Sequence, residues 1–216
     1  MRPLATLRAI LAGGSPAAGS QAPRYEKEVA AFEALDRTNP PPPGQILFVG
    51  SSTIVDWDPA TYFPDLKIIN RGLWGSALID TVRLVDRIVL PYQPRLIVLY
   101  AGDNDIDGGQ TSEDVTVQFE RFIREVHARL PQTRIVFIGI KPSPRRWLTI
   151  DRARETNERI RTLAGRDDRV AYLDVDGPML GWDETPRKEL FLSDGLHLSP
   201  QGYQLWTTLL HPLLAP

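Results

Sequence analysis

Residues 46–57 read ILFVGSSTIVDW, and this stretch decides the fold that we predict. Its first four residues form an unbroken apolar run, which is typical of a strand that is buried on both faces. Gly50 ends the run, and two serines follow at once. In parallel sheets, functional groups gather beyond the carboxyl ends of the strands. The stretch therefore predicts a strand of a parallel sheet with Ser51 and Ser52 at its edge.

Similar runs recur along the chain and alternate with helical patterns. The predicted strands cover residues 46–49, 66–69, 95–100, 134–140 and 170–175. Apolar residues at helical spacing predict helices over residues 24–37, 79–89, 112–130, 152–164 and 200–214. This alternation favours a parallel sheet with helices on both sides. We therefore predict an α/β protein with three α/β/α layers and a five-stranded parallel sheet.

The length of 216 residues suits one domain. Residues 1–23 are rich in Ala, Gly, Ser and Pro, and we expect a disordered leader there. Residues 24–44 supply an N-terminal helix and a proline-rich connector, so a single domain is expected over residues 24–216. Arg8 interrupts the apolar run that a signal peptide would need. A cytoplasmic location is therefore favoured, with a periplasmic or secreted protein as the alternative if the leader acts as a weak signal.

The composition excludes several classes of function. The formal net charge of −2 gives no broad basic field that would attract nucleic acid. The absence of cysteine removes disulfides, thiolate metal sites and a cysteine nucleophile. No apolar run approaches the length of about 18 residues that a transmembrane helix requires. We expect neither a nucleic-acid partner nor a transmembrane segment.

Four polar blocks follow the predicted strands or precede the last helix. They are Gly50-Ser51-Ser52, Asn70-Arg71-Gly72, Gly102-Asp103-Asn104-Asp105 and Asp194-Gly195-Leu196-His197. Asp194 can orient His197 as a general base by accepting a hydrogen bond from its ring. The same segment also reads as the start of a helix, with Ser199 as its cap and Pro200 in its first position. Both interpretations can hold, because the cap fixes the loop that presents the histidine.

Each of the other blocks also has a structural explanation. The two serines can cap a short helix, Gly72 can be an ordinary turn glycine, and Asn104 can form an Asx turn. The functional alternative is an oxyanion site, in which the Asn104 amide and the Gly72 backbone N–H donate hydrogen bonds.

The third block also resembles the start of a calcium-binding EF-hand loop. Asp103, Asp105 and Asp107 have the required spacing. The twelfth position is Asp114 instead of glutamate, and the loop follows a strand-like run where an amphipathic helix is required. We therefore predict no metal site.

Together the four blocks resemble those of the SGNH hydrolases, the GDSL-type lipases and esterases. The resemblance runs from about Ile46 to Leu214, and its blocks read GSST, NRG, GDND and DGLH in the family's order. The stretches NRGLWGS and KPSPR are similar to a bacterial branch close to platelet-activating-factor acetylhydrolase-type enzymes. The resemblance implies a flavodoxin-like SGNH-hydrolase fold and a serine esterase that needs no cofactor.

The resemblance also assigns roles to the catalytic residues. Ser52 is the implied nucleophile, with His197 as the general base and Asp194 as its orienting partner. The first block departs from the family, because Ser51 stands where an aspartate is usual. Alignment on Gly50 selects Ser52 over Ser51 as the nucleophile.

The implied oxyanion hole consists of the backbone N–H groups of Ser52 and Gly72 and the side-chain amide of Asn104. These three donors would bind the negative oxygen that develops on an ester carbonyl during attack.

The predicted substrate is a small-molecule ester. Trp74, Trp147 and Arg71 lie near predicted strand ends, where they can line an acyl pocket, stack on a sugar or contact an anionic group. Core packing of the aromatic rings and a solvated loop charge are the structural alternatives. The short loops favour short-chain acyl or acetyl esters. An acetylated-carbohydrate esterase, a lysophospholipid esterase and a non-catalytic sugar- or lipid-binding module remain alternatives.

Overall fold

The computed structural model describes residues 24–215 and contains one five-stranded sheet in that part of the chain. The strands are β1 (Ile46–Gly50), β2 (Ile68–Gly72), β3 (Leu96–Tyr100), β4 (Arg134–Ile138) and β5 (Val170–Leu173). All neighbours are parallel, in the order β2-β1-β3-β4-β5. The predicted α/β class and five-stranded parallel sheet are confirmed. The leader predicted over residues 1–23 lies outside the described residues, and the domain limits of 24–216 stay a prediction.

Helices cover both faces of this sheet. They are α1 (Glu26–Thr38), α2 (Ser52–Val55), α3 (Pro59–Tyr62), α4 (Leu78–Arg83), α5 (Val85–Ile88), α6 (Asp103–Asp107), α7 (Ser112–His127), α8 (Ile150–Ala164) and α9 (Pro200–Leu210). None of the helices in the described part of the chain is both long and apolar enough to cross a membrane.

The central strands are apolar throughout because their side chains enter two cores. On β1, Leu47 and Val49 pack into the cluster formed with α1, α4, α5, α7 and α8. Ile46 and Phe48 point to the other face and pack with α2 and α9. Full burial of such a side chain stabilises the fold by about 1.5–3 kcal/mol relative to exposure. Burial on both faces explains why these strands read as unbroken apolar runs.

Aromatic rings fill the second core. Trp57 is fully buried, and its ring centroid lies 5.2 Å from that of Phe48 and 5.5 Å from that of Phe63. Trp206 of α9 packs against Trp57, with the two ring centroids 5.8 Å apart. The indole N–H of Trp57 donates to the Thr207 hydroxyl at 3.3 Å. Trp57 therefore joins the segment after α2 to α9.

The second strand lies further along the chain than predicted. The apolar run over residues 66–69 indicated a strand, but β2 begins at Ile68 and includes the whole NRG block. Asn70 can occupy a strand position because its polar side chain is hydrogen-bonded there. Its side-chain amide donates to the carbonyls of Ile54, at 2.6 Å, and Trp57, at 3.2 Å. The polar block is therefore part of the sheet and is held by its contacts with α2 and the following residues.

The strand order reverses at β1, which lies between β2 and β3. In open α/β sheets the connections leave a crevice at such a point, beyond the carboxyl ends of the strands. The first polar block follows β1 directly and therefore lies at this crevice.

Candidate active site

A tight turn leads from β1 into α2 and contains Ser51 and Ser52. Gly50 has a φ of 133°, and a Cβ there would lie 1.9 Å from the carbonyl oxygen of Tyr100. Only glycine fits, because the two backbones approach so closely. The Ser51 N–H donates to the same carbonyl at 3.0 Å. Ser52 then begins α2.

Ser52, His197 and Asp194 meet in space, although 145 residues separate the serine from the histidine. The Nε2 atom of His197 lies 3.2 Å from Ser52 Oγ, and Nδ1 lies 2.6 Å from an Asp194 carboxylate oxygen. An imidazole held in this way can accept the serine proton while the carboxylate fixes its tautomer.

Asp194 also organises the backbone of its own loop. Its second carboxylate oxygen accepts the N–H groups of Leu196, at 2.9 Å, and His197, at 3.0 Å. Burial raises the pKa of Asp194, but hydrogen bonds from the His197 ring and these two N–H groups outweigh that effect and bring the pKa to about 2. The carboxylate is therefore negatively charged at neutral pH. Ser199 caps α9 in addition, since its hydroxyl accepts the Gly202 N–H at 3.2 Å.

The structure distinguishes the two adjacent serines. Ser51 is fully buried, and its hydroxyl has no hydrogen-bond partner within residues 24–215. The hydroxyl that contacts His197 belongs to Ser52. Ser51 therefore occupies the usual aspartate position of the first block as a buried, uncharged residue.

Gly72 lies in the sheet and not in the turn where we predicted it. It is the last residue of β2, and its N–H donates to the Asn70 side-chain oxygen at 2.9 Å. A Cβ on Gly72 would lie 2.7 Å from the backbone nitrogen of Val55, so this glycine lets α2 pack against the strand. Its single N–H is occupied and is not offered to an oxyanion in this structure.

The turn after Gly72 contains a second glycine that the sequence analysis did not consider. Ser76 donates its N–H to the Leu73 carbonyl at 3.2 Å, which closes the turn. Gly75 is exposed in this turn, with a φ of 65°. Its N–H makes no hydrogen bond within the described residues. The signal that could have found it is the repeated glycine of NRGLWG, where a left-handed turn residue is expected.

Asn104 lies in the first turn of α6 and makes two side-chain contacts. Its Nδ2 donates to the carbonyl of Ser76 at 2.9 Å, and its Oδ1 accepts from Arg146 at 2.8 Å. The amide therefore adjoins the turn that holds Gly75, and the second N–H of Nδ2 has no acceptor within residues 24–215.

Arg71 is also placed differently from its predicted role as a substrate contact. The side chain is only 8% exposed and pairs with Asp36 at 2.6 Å. It also donates to the Tyr92 hydroxyl, at 2.6 Å, and to the Asn70 carbonyl, at 2.8 Å. The bond to Asp36 holds α1 against β2, on the side of the strand opposite the Asn70 side chain. Three of the five guanidinium N–H donors are engaged in these bonds, which gives Arg71 a structural role.

The two predicted substrate tryptophans have different surroundings. Trp74 is 54% exposed, and its ring centroid lies 5.3 Å from that of His197. Trp147 is half-buried, and its ring contacts the guanidinium of Arg154 on α8 at 5.7 Å. Of these two rings, Trp74 is the one that contacts His197.

A cleft of about 340 Å³ lies against the loop that carries Asp194. It is lined by Pro144, Lys188, Phe191, Leu192, Ser193 and Gly195. Most of these residues carry no recognisable signal in the sequence, because they come from two separate irregular segments without a periodic pattern. Four of the six lining residues are apolar or glycine, and Asp194 itself is flanked by the cleft without lining it.

The acidic residues of the EF-hand-like block point to different partners. Asp103 pairs with Lys141 at 3.0 Å, and both oxygens of Asp105 accept the Leu78 N–H, at 3.0 and 3.1 Å. Within residues 24–215, no group of three or more His, Cys, Asp or Glu side chains is arranged to hold a metal ion. The carboxylates of Asp103 and Asp105 hold the fold around α6 and do not converge on one point.

Comparison with known proteins places the chain in a family. Residues 57–205 match the family model of the GDSL-like Lipase/Acylhydrolase family. The alpha1 subunit of platelet-activating factor acetylhydrolase IB from Homo sapiens is 30% identical over 159 residues, which cover 70% of this chain and 65% of that protein. The chain thus spans just under two thirds of that relative. The alpha2 subunit from Rattus norvegicus is 26% identical over 182 residues, which cover 78% and 75% of the two chains.

Solved structures share the fold. A protein from Streptococcus pneumonia, provisionally described as a platelet activating factor, has a TM-score of 0.80 at 24% identity and covers 88% of this chain and 92% of its own. A GDSL-like lipase from Bacteroides thetaiotaomicron has a TM-score of 0.75 at 17% identity, with coverage of 86% and 96%. The resemblance that the four sequence blocks indicated is thereby confirmed. The chain belongs to the GDSL-like lipase/acylhydrolase family.

Proposed function

We propose that the protein hydrolyses carboxylic esters with short acyl groups, acetyl esters foremost, through an acyl-enzyme on Ser52. The observation that carries the proposal is the 3.2 Å contact between Ser52 Oγ and His197 Nε2, with Asp194 on the other ring nitrogen. Ser52 attacks the ester carbonyl, and His197 takes its proton and gives it to the departing alcohol. Water, deprotonated by His197, then releases the acid from Ser52.

The oxyanion of each tetrahedral intermediate is bound by the Ser52 N–H and by the free N–H of Asn104 Nδ2. Both groups lie at the carboxyl edge of the sheet, after β1 and β3 respectively. Because the Gly72 N–H is occupied by Asn70, we assign the third donor to the turn amide of Gly75. Preorganised donors of this kind are worth about 10²–10³ in rate each.

A cleft next to the Asp194 loop and the names of the relatives support a small acyl group. The cleft beside Asp194 has a volume of about 340 Å³ and an apolar lining that includes Phe191 and Leu192. The name acetylhydrolase, carried by the human and rat relatives, supports an acetyl group as the acyl part. Acetylated carbohydrate is the second candidate, because the exposed ring of Trp74 beside His197 can stack on a sugar ring.

The test compares wild type with Ser52→Ala on p-nitrophenyl acetate, p-nitrophenyl butyrate and acetylated xylo-oligosaccharides. We expect hydrolysis by wild type, fastest for acetyl esters, and a loss in Ser52→Ala on the order of the 10⁶-fold seen when the nucleophile of another serine hydrolase is removed. Ser51→Ala is the matched control and should keep its activity, because the Ser51 hydroxyl is buried away from His197.

Two results would contradict the proposal. If Ser52→Ala retained the wild-type rate, the acyl-enzyme assignment would be wrong. If wild type hydrolysed none of the esters but bound the oligosaccharide, the chain would be a non-catalytic binding module.

A further inference from the structure

Three charged side chains form a buried group beneath Asn104, and we call it the Asp103–Lys141–Arg146 network. One Asp103 oxygen lies 3.0 Å from Lys141 Nζ and 3.1 Å from an Arg146 nitrogen. The side chains of Asp103, Lys141 and Arg146 are 7%, 1% and 13% exposed. Burial raises the pKa of Asp103, but the two cations outweigh it and lower the pKa below its usual value. Burying charged groups costs desolvation free energy unless the charges are paired. We therefore asked what this network does beside the candidate site.

The network connects two parts of the candidate site. Lys141 donates to the Thr53 hydroxyl at 3.2 Å and to the Tyr100 hydroxyl at 3.0 Å. Thr53 follows the candidate nucleophile on α2, and Tyr100 is the last residue of β3. A single ammonium group therefore connects α2, which begins with Ser52, to the end of β3 and to Asp103 at the start of α6.

The same network fixes the orientation of the Asn104 carboxamide. Arg146 Nη2 donates to Asn104 Oδ1 at 2.8 Å, and Asn104 Nδ2 donates to the Ser76 carbonyl at 2.9 Å. A guanidinium has only donors and a carbonyl only accepts, so a carboxamide rotated by 180° would lose both bonds. The Asn104 backbone N–H is held as well, by an Asp103 oxygen at 2.9 Å. Both the backbone and the side chain of Asn104 are thus fixed by the network.

We propose that Arg146 is a positioning residue for ester hydrolysis, which holds the amide of Asn104 with its free N–H directed at the oxyanion. This inference rests on the proposed function. The terminal torsion of asparagine is broad, so without Arg146 the carboxamide samples orientations that present its oxygen to the substrate. The oxyanion then loses its donor for part of the time and meets a repulsive oxygen instead.

The first test is a double-mutant cycle on p-nitrophenyl acetate with Arg146→Met, Asn104→Ala and the double variant. Loss of an oxyanion donor costs about 10²–10³ in kcat, and we expect Arg146→Met to cost about 10–100-fold in kcat with KM changed less than about threefold. In the Asn104→Ala background, Arg146→Met should have almost no further effect on kcat. A merely structural arginine would lower the rate equally in both backgrounds.

Arg159→Met is the matched control. Arg159 is a half-exposed arginine whose ion pairs are with Glu113 and Glu155, so its loss should leave kcat unchanged. Arg146→Lys keeps the charge and a donor group that can reach Asn104 Oδ1, though without the planar guanidinium, and we expect it to recover part of the lost kcat. If Arg146→Met does not fold, Arg146→Lys carries the same cycle.

The second test does not depend on hydrolysis. In the ¹⁵N–¹H spectrum, the side-chain amide pair of Asn104 is identified by its absence from Asn104→Ala. Removal of Arg146 should shift and broaden this pair, while Arg159→Met leaves it in place. An unchanged pair in Arg146→Met, or equal rate losses in the two backgrounds of the cycle, would overturn the inference. If wild type hydrolysed no ester, the proposed function would fail, and the amide spectrum would still decide the positioning role.

Discussion

At the scale of single residues, the carboxylate of Asp194 accepts three hydrogen bonds in the candidate site. Its two oxygens accept one ring N–H and two backbone N–H groups. The loop before α9 and the imidazole of His197 are therefore oriented by one carboxylate. A conservative change at Asp194 should separate the orientation of the loop backbone from the orientation of the imidazole.

Asp194→Asn is expected to lower kcat by about 10⁴, as the equivalent change does in another serine hydrolase. The asparagine oxygen can still accept the backbone N–H groups, but its amide would donate to Nδ1 and hold the wrong tautomer of His197. Steady-state rates on p-nitrophenyl acetate give the loss, and urea unfolding should show a nearly unchanged midpoint. A variant within tenfold of wild type would mean that Asp194 does not orient the base.

The sequence predicts which residues can do the chemistry better than it predicts what each contacts. His197 was selected from three histidines by the aspartate three residues before it, and the structure places both beside Ser52. Arg71 and Gly72 were assigned to substrate and oxyanion. In the structure, Asp36 and Tyr92 accept hydrogen bonds from the Arg71 guanidinium, and the Asn70 side chain accepts the Gly72 N–H. Spacing along the chain does not reveal which hydrogen-bonding groups are already satisfied, since those partners come from distant segments.

At the scale of elements, Asp105 connects α6 to α4. Both of its oxygens accept the N–H of Leu78, the first residue of α4. Burial raises the pKa of Asp105 from 3.8 to about 6, and the nearby charge of Asp103 adds to the effect, while backbone hydrogen bonds oppose it. The junction between the two helices therefore changes its charge in mildly acidic solution.

The folded state should lose stability through Asp105 as the pH rises. Between about pH 4 and pH 6 the folded chain keeps a proton on Asp105 that the unfolded chain has released, so the free energy of unfolding falls with rising pH. The shift corresponds to about 1–3 kcal/mol. Asp105→Asn cannot ionise and still accepts the Leu78 N–H. The difference in unfolding free energy between variant and wild type should therefore grow over this range in urea titrations. A constant difference from pH 4 to pH 7 would show that Asp105 does not titrate in this way.

The elements found most readily from sequence are those with a continuous apolar pattern. The predicted strand over residues 95–100 became β3 (Leu96–Tyr100), and the helix predicted from 112 became α7 (Ser112–His127). The strand predicted at 66–69 was shifted because Asn70 reads as a loop residue, and α6 was read as a loop because its sequence, DNDID, lacks an apolar face. Both of these elements are stabilised by contacts with other segments. The spacing of apolar residues along the chain does not indicate such contacts.

At the scale of the whole molecule, Trp57 links the two sides of the candidate site through the second core. It packs on Phe48 of β1 and Trp206 of α9, and its indole N–H is bonded to Thr207. The sheet edge that carries Ser52 and the helix that follows His197 thus share one buried ring.

Trp57→Ala should destabilise the fold by about 3–5 kcal/mol, the usual cost of truncating a buried aromatic ring. That is a large fraction of the about 5–15 kcal/mol by which such proteins are stable. Trp182→Ala is the matched control, because Trp182 is 98% exposed, and it should change stability by less than about 0.5 kcal/mol. Urea unfolding followed by far-UV circular dichroism measures both. Equal midpoints for the two variants would contradict this account of the core.

The distance along the chain between Ser52 and His197 has a consequence for refolding. Contacts between residues far apart in sequence form slowly, because the entropy of closing a long loop is lost before the contacts can stabilise the fold. Turnover can resume only after the loop of residues 191–199 has docked on the edge of the finished sheet. The rate at which hydrolysis recovers after dilution from urea would therefore report the last long-range step of folding. The fluorescence of the buried tryptophans would report the earlier formation of the core.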